Sequence, residues 1–336
     1  MKKFLFFGAG VLGSLYAARL KQSGQDVTLL ARNTRLKDIK EHGIVLEHAP
    51  SGKREVVTVP VVEHLHENDA YDLIVVLVRK NQVASVLPIL AAHKDTPNIL
   101  FMVNNPSGYA DWVNAVGPER LVLGFAGAGG TRVGNVVRYV VVSRFLQPTT
   151  FGELNGANSP RLTEIMRVFR GAGFPTAFTS NMDAWQKTHV AWISPIANAL
   201  YMVNCDHHVL ARSPHVVRLA VQAVREGFSV LHSLGIPITP AKLRMWQWIP
   251  ESVLVRSLML WADTNHFRTA AVEHTAAATD EMHHIAEEFR TLSLSTSIAT
   301  PAIDELRSFI PRPDQNDTSS NSSVNRTPDG VPPSGV

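Results

Sequence analysis

The sequence predicts an α/β domain followed by an all-α domain, and three observations carry that expectation. The first ~30 residues run strand, glycine-rich turn, helix, strand. Short apolar, β-branched runs then alternate with helix-like segments as far as residue 179. After that, extended runs with glycine turns nearly vanish and helical spacing takes over. The expected boundaries are 1–179 for the α/β domain, 180–312 for the helical domain and 313–336 for a disordered tail, whose only apolar residue type is Val.

Taken in order, "KKFLFF" reads as a buried parallel strand, Val11 to Ser23 as a helix stopped at Gly24, and "DVTLLA" (26–31) as the second strand. "GIVLEHAPSGKREVVTVPVV" reads as a hairpin turning at Ser51 and Gly52. "YDLIVVLVRK" (71–80) and "PNILFMVNN" (97–105) are strands with a helix between them. "RLVLGFAGAGG" (120–130) is a strand running into glycines, with 127–130 expected as a loop bordering a cleft. "NVVRYVVV" and "TTFGEL" are later, antiparallel strands, and a helix at 159–170 and the strand "FPTAFT" (174–179) close the α/β half. Helices are expected over 182–205, 214–234, 239–249, 251–291 (broken) and 301–309. The sequence shows no internal repeat.

Composition excludes several function classes. The 336 residues are 45% hydrophobic, enough for a large core in about two domains. Net charge is +3 with Lys and Arg scattered, so no nucleic-acid stripe is expected. Cys205 is the only cysteine, which rules out an intrachain disulfide and fits a reducing cytoplasm. No apolar run reaches the roughly 18 residues of a membrane span, the nearest being "VAWISPIANALYMV", broken by Pro195 and Asn198. Lys2, Lys3 and "YAA" would also suit an export signal, but the strand right after the glycine segment favours nucleotide binding and a cytoplasmic protein. His207-His208, His274 and His283-His284 form no ligand spacing, so they are expected on helix surfaces with no metal bound. Trp246, Trp248 and Trp261 are expected in the core or at a domain interface.

The opening motif decides the fold type. Gly8, Gly10 and Gly13 match G-x-G-x-x-G between a strand and a helix, so Gly8-Ala9-Gly10-Val11-Leu12-Gly13 is the candidate dinucleotide turn. The sequence thus reads as an α/β Rossmann-type amino-terminal domain followed by an all-α carboxyl-terminal domain. The second strand ends in "LLARN", with Arg32 and no carboxylate; Arg35 and Lys37 follow. An arginine there suits a 2'-phosphate, so NADP(H) is the expected cofactor.

Together with "GFAGAGGTRVGNVV…TTFGEL", "AWQKTHVAW" and "TDEMHHIAEEF…IATPAIDEL", this opening resembles the ketopantoate reductase (2-dehydropantoate 2-reductase) family over residues 1 to 310. The resemblance implies NADPH, a cleft between the two domains, reduction of a 2-oxo acid in pantothenate biosynthesis, and often a homodimer. It places Lys187 at the catalytic lysine, Glu281 at the glutamate that contacts lysine or substrate, and Asn105 beside nicotinamide and substrate. Arg79 falls where the family has a cofactor-binding lysine, with Lys80 as a neighbouring substitute, and Thr269 falls at a serine near the substrate carboxylate. Helical spacing adds Ser194 and Asn198 to the face of Lys187 as substrate contacts. Family asparagines fall on Ala191 and Pro195, so the substrate half diverges and the oxo acid stays open. Two other readings remain at this point, a β-hydroxy acid or imine dehydrogenase of similar build and a non-catalytic NADP-binding sensor.

Overall fold

The computed structural model describes residues 3–312; the expected tail at 313–336 lies outside the described residues. The amino-terminal part runs β1 (Lys3–Phe7), α1 (Val11–Gln22), β2 (Asp26–Leu30), α2 (Asn33–His42), β3 (Ile44–His48), β4 (Arg54–Val57), β5 (Val61–Val62), β6 (Leu73–Val76), α3 (Val83–Ala92), β7 (Ile99–Met102), α4 (Ala110–Val116), β8 (Leu121–Phe125), β9 (Ala128–Val133), β10 (Val136–Val141), β11 (Thr149–Gly152), α5 (Pro160–Gly171) and β12 (Thr176–Phe178). The main sheet has eight strands in the order β12-β11-β8-β7-β6-β1-β2-β5, all parallel to their neighbours except β11 against β8. Chain order reverses beside β1, which lies between β2 and β6, so a crevice opens at the carboxyl ends of these strands.

The strands are apolar on both faces, as a sheet covered by helices requires. Phe4, Phe6 and Val75 pack towards α1 and α5, while Leu5, Phe7, Ile74 and Phe101 pack on the opposite face with Val86, Leu90 and Trp112 of α3 and α4. The expected hairpin at 44–57 forms, with Ile44 opposite Val57, but it belongs to a second sheet, β4-β3-β10-β9. Gly129 and Gly130 are not in a loop: they pair with Val140 and Tyr139 inside β9, because the strand satisfies their backbone groups.

The helical part comprises α6 (Met182–Tyr201), α7 (His207–Ala211), α8 (Pro214–Ser233), α9 (Glu251–Ala262), α10 (Asn265–Phe267), α11 (Glu273–Ala277), α12 (Thr279–Leu294) and α13 (Pro301–Ser308). The expected 239–249 helix is only a 3₁₀ turn at Ala241–Gln247. The 251–291 segment is interrupted three times, the last at Ala278 between α11 and α12. Thr264 caps a new start through its hydroxyl, and a π-helical turn at Arg268–Val272 leads into α11. α6 begins where the Asn181 side chain accepts from the Ala184 N–H, and Asp183 complements its dipole. It packs against α8, where Gly227 allows Ala191 to approach closely. Trp248 is 84% exposed, which corrects its expected burial.

Candidate active site

A cleft of about 1450 Å³ runs from the first glycine turn to the helical part. At one end Gly8, Ala9, Gly10, Val11 and Leu12 line it, with Arg32, Arg35 and Arg132. Gly8 has φ +116°, and a Cβ there would lie 2.5 Å from the Leu77 carbonyl oxygen. A Cβ on Gly13 would collide with the Gly8 carbonyl, whereas one on Gly10 would meet nothing within 4 Å and would project into free space. The turn is therefore closed against the sheet and open towards the cleft, where the first N–H groups of α1 have no intrahelical acceptor. These features fit a dinucleotide pyrophosphate.

Arg35 completes this end. Its Nε donates to the Ala9 carbonyl at 3.2 Å and its Nη2 to Ser14 Oγ at 3.0 Å, while Nη1 is buried without a partner. Burial and the nearby Arg132 cation lower its pKa to about 10, so it stays cationic at neutral pH. Arg32 caps α2 and is exposed at the cleft rim. A free guanidinium edge beside an exposed one suits an extra phosphate.

The other end is built from α6, α11 and α12. α6 turns Trp185, His189, Val190, Ile193, Ser194 and Ala197 to the cleft. Gln186 docks the helix on the sheet: its Nε2 donates to the Val103 carbonyl at 3.0 Å and the Gly124 carbonyl at 3.3 Å, and its Oε1 accepts from Tyr109. His189 stacks on Trp185 at 5.3 Å, and burial lowers its pKa to about 3, so the ring is neutral. Trp192, Trp246 and Trp261 line the far wall, with the Trp192 indole N–H buried and unpaired.

On α6 the expected face is met at Ser194, which lines the cleft seven residues after Lys187. Ser194 and Glu281 line the cleft, but Lys187, Asn198, Thr269 and Asn105 do not. Lys187 Nζ lies 2.6 Å from Asp183 Oδ2 one turn earlier, the favoured order for an acid–base pair at i,i+4. Ala191, where the family asparagine was expected, faces Gly227 of α8, so its missing amide removes nothing from the cleft. Thr269 donates to the Asn265 carbonyl inside the helical core. Asn105 is fully buried and holds its own loop, donating to the Gly108 carbonyl and accepting from Lys80 Nζ at 2.8 Å; its neighbour Asn104 lines the cleft instead.

Residues at the ends of β6 and β7 clasp α12. Arg79 lines the cleft, donates to Asp280 Oδ1 at 2.6 Å and also donates to the Ala277 carbonyl. Asn81 donates to the other Asp280 oxygen. Burial alone would raise the Asp280 pKa, but the bonds from Asn81 and Arg79 outweigh it and hold the carboxyl below its usual range. The Lys80 backbone N–H donates to Glu281 Oε1 at 3.1 Å, and its amine lies 3.3 Å from Glu288. Lys80 is thus a buried structural lysine. His274 lies on the surface of α11 as expected, its side chain 45% exposed, and there it borders the cleft 3.8 Å from Glu281 Oε2. Among the described residues no group of three or more candidate side chains is arranged to hold a metal, and no helix is long and apolar enough to cross a membrane.

Fold and site together give a two-part α/β–α chain whose first glycine turn is shaped for a dinucleotide. The sequence model of the ketopantoate reductase PanE/ApbA family matches residues 4–156, which run from β1 through β11. The chain is 26% identical over 245 residues to the uncharacterized oxidoreductase YkpB of Bacillus subtilis, covering 71% of this chain and 78% of that protein. It is 25% identical over 254 residues to the 2-dehydropantoate 2-reductase of Pyrococcus horikoshii, covering 72% and 78%. Among solved structures, 2-dehydropantoate 2-reductase from Geobacter metallireducens superposes with a TM-score of 0.76 at 17% identity, over 92% of this chain and 98% of that one. D-mandelate dehydrogenase with NADH and anilino(oxo)acetate gives 0.74 at 17%, over 92% and 96%. The fold is that of the ketopantoate reductases.

Sequence reasoning missed Asn104, Gln186, His189, Trp192 and His274. The one available signal was positional: in "NN" at 104–105 only one neighbour can face the cleft, and strand phase cannot choose between them without the packing partner.

Proposed function

We propose that the protein is an NADPH-dependent reductase of a 2-oxo acid, converting ketopantoate or a related substrate to the 2-hydroxy acid. The observation that carries this is one cleft joining the Gly8–Gly13 turn and its arginines to a second end walled by Glu281, Ser194 and His274. Gly8, Ala9, Gly10, Val11, Leu12 and Gly13 would hold the pyrophosphate, Arg32 and Arg35 the 2'-phosphate, and Arg79 and Asn104 would border the nicotinamide. Bound there, the cofactor supplies hydride to the oxo carbon. The chain's own task is to orient the oxo acid, exclude water and deliver a proton to the oxygen that gains charge. Ser194 Oγ supplies a hydroxyl for the substrate carboxylate or carbonyl.

Three indoles at the substrate end favour a bulky apolar side chain on the oxo acid. The anilino(oxo)acetate in the D-mandelate dehydrogenase structure is an oxo acid derivative of that kind. NADPH oxidation with ketopantoate, branched and aromatic 2-oxo acids tests the reading. Turnover of at least one, with NADPH preferred over NADH, supports it. Tight NADPH binding without oxidation by any of them overturns it in favour of a sensor.

A further inference from the structure

We infer that His189 donates a hydrogen bond to the oxo oxygen of the substrate. This rests on the reductase reading above. His189 lines the cleft from α6, and only 9% of the residue is exposed. Even so, neither ring nitrogen hydrogen-bonds to another described residue. Nor is either nitrogen sealed inside the protein, as the unpaired Trp192 indole N–H is. The polar edge of the ring is therefore open, and the space it borders is the cleft. A polar group on a largely buried side chain, left without a partner by its own fold, is placed to receive one from a ligand.

The ring is held from two sides. It stacks on Trp185 with centroids 5.3 Å apart and planes 4° from parallel, and it packs on Phe125 at 4.3 Å, tilted by 50°. This clamp fixes the direction of the polar edge. Phe125 ends β8, whereas Trp185 and His189 belong to α6, so the clamp lies where the two halves of the chain meet. Met102 of β7 pairs with Gly124 of β8, so Phe125 leaves the sheet beside Val103 and Asn104. An oxo carbon in contact with a nicotinamide bordered by Asn104 falls at this junction.

The chemistry of the ring selects the oxygen it serves. Burial alone brings its pKa down to about 3, so the imidazole is neutral at working pH. A carboxylate is better served by a cation. A carbonyl suits a neutral imidazole, which offers one N–H and keeps it. As hydride arrives, charge develops on the oxo oxygen, and a preset N–H stabilises it. The other lone pair of that oxygen stays free for the proton donor, the role that the family resemblance gives to Lys187. Ser194, on the same helix, is then left for the substrate carboxylate.

The test compares two variants with wild type. His189→Phe keeps a ring in the clamp and loses the donor; His189→Gln restores a donor. Single-turnover NADPH oxidation by the 2-oxo acid that wild type reduces fastest should slow roughly 10²- to 10³-fold in His189→Phe, the usual loss of one oxyanion donor. His189→Gln should recover roughly tenfold or more, with NADPH affinity unchanged in both. A second readout needs no turnover. Difference infrared spectra of the same oxo acid, isotope-labelled at the oxo carbon and bound to the NADP⁺-loaded protein, should show the oxo stretch at lower frequency in wild type than in His189→Phe. If His189→Phe is insoluble, His189→Leu takes its place in both measurements. Four results overturn the assignment and leave the reductase reading standing: a His189→Phe rate within about threefold of wild type, a His189→Gln rate no faster than that of His189→Phe, an oxo stretch unmoved by the substitution, or a rate loss matched by an equal loss of NADPH affinity, which puts the bond on the nicotinamide carboxamide. A wild type inert towards every oxo acid overturns both.

Discussion

Arg32→Ala should separate NADPH from NADH. Arg32 is exposed at the cap of α2, two residues beyond Leu30 at the end of β2, and its guanidinium lies 6.0 Å over the Phe7 ring at the cleft rim. A unit charge pair at about 4 Å in water is worth about 1 kcal/mol, so a phosphate carrying nearly two charges gains about 2 kcal/mol from it, and a charge-assisted hydrogen bond falls in the same range. Removal should therefore weaken NADPH binding by about 30-fold. NADH carries a hydroxyl where NADPH carries the phosphate and should bind within about twofold of wild type. The difference should shrink at about 0.5 M salt, because the pair is exposed. Arg35→Met serves as the contrast: Arg35 also ties the Ala9 carbonyl and Ser14 Oγ, so its loss loosens the pyrophosphate turn and should weaken both cofactors. Fluorescence titration of both dinucleotides against both variants gives the four constants. An Arg32→Ala variant that weakens NADPH and NADH equally, or neither, refutes the placement of the 2'-phosphate at Arg32.

Three further outcomes follow from the geometry. Gly13→Ala should be the most destabilising change in the turn: its Cβ meets the Gly8 backbone carbonyl, which cannot move aside, and a cost of about 3 kcal/mol should appear as a large drop in melting temperature or loss of soluble protein. Burial depresses the His189 pKa to about 3, below its unfolded value, so the folded state stays neutral while the unfolded chain takes up a proton; stability should be full above about pH 6.5 and fall by about 1.4 kcal/mol per pH unit between pH 6 and 4, a slope that His189→Phe should remove in urea denaturation. Because the Asp280 pKa is lowered by Asn81 and Arg79, its clasp should contribute fully above the usual carboxylate range and fade as pH falls through its depressed value; Asp280→Asn should lower the urea midpoint at pH 6 and match wild type near pH 3.

The dinucleotide half was legible because its chemistry is local. Gly8, Gly10, Gly13 and the strand end at Arg32 fall within one βαβ unit, where strand and helix phase fix which atoms meet. The substrate half depends on the rotation of one long helix. Lys187, Ala191, Ser194 and Asn198 share a stripe in sequence, but the apolar run between Met182 and Tyr201 can be buried in more than one phase. Two interactions from distant parts of the chain select the phase: Gln186 docks on carbonyls of Val103 and Gly124, and Ala191 seats on Gly227. Neither partner is within reach of a periodicity argument. Asn105 shows the same limit on the strand side, since only the buried Lys80 explains why it points inward and Asn104 outward.

The clasp on α12 makes the two flanks of the cleft mechanically unequal. On one side Arg79, Lys80, Asn81 and Ser107 bind Asp280, Glu281 and Glu288, several of them buried. On the other, the exposed Lys242 reaches across to two backbone carbonyls of the 143–148 loop. Opening free energy follows burial and bond number, so the first flank is held more firmly than the second. Glu281 is thus anchored on the firmer side, where the Lys80 N–H fixes one of its oxygens.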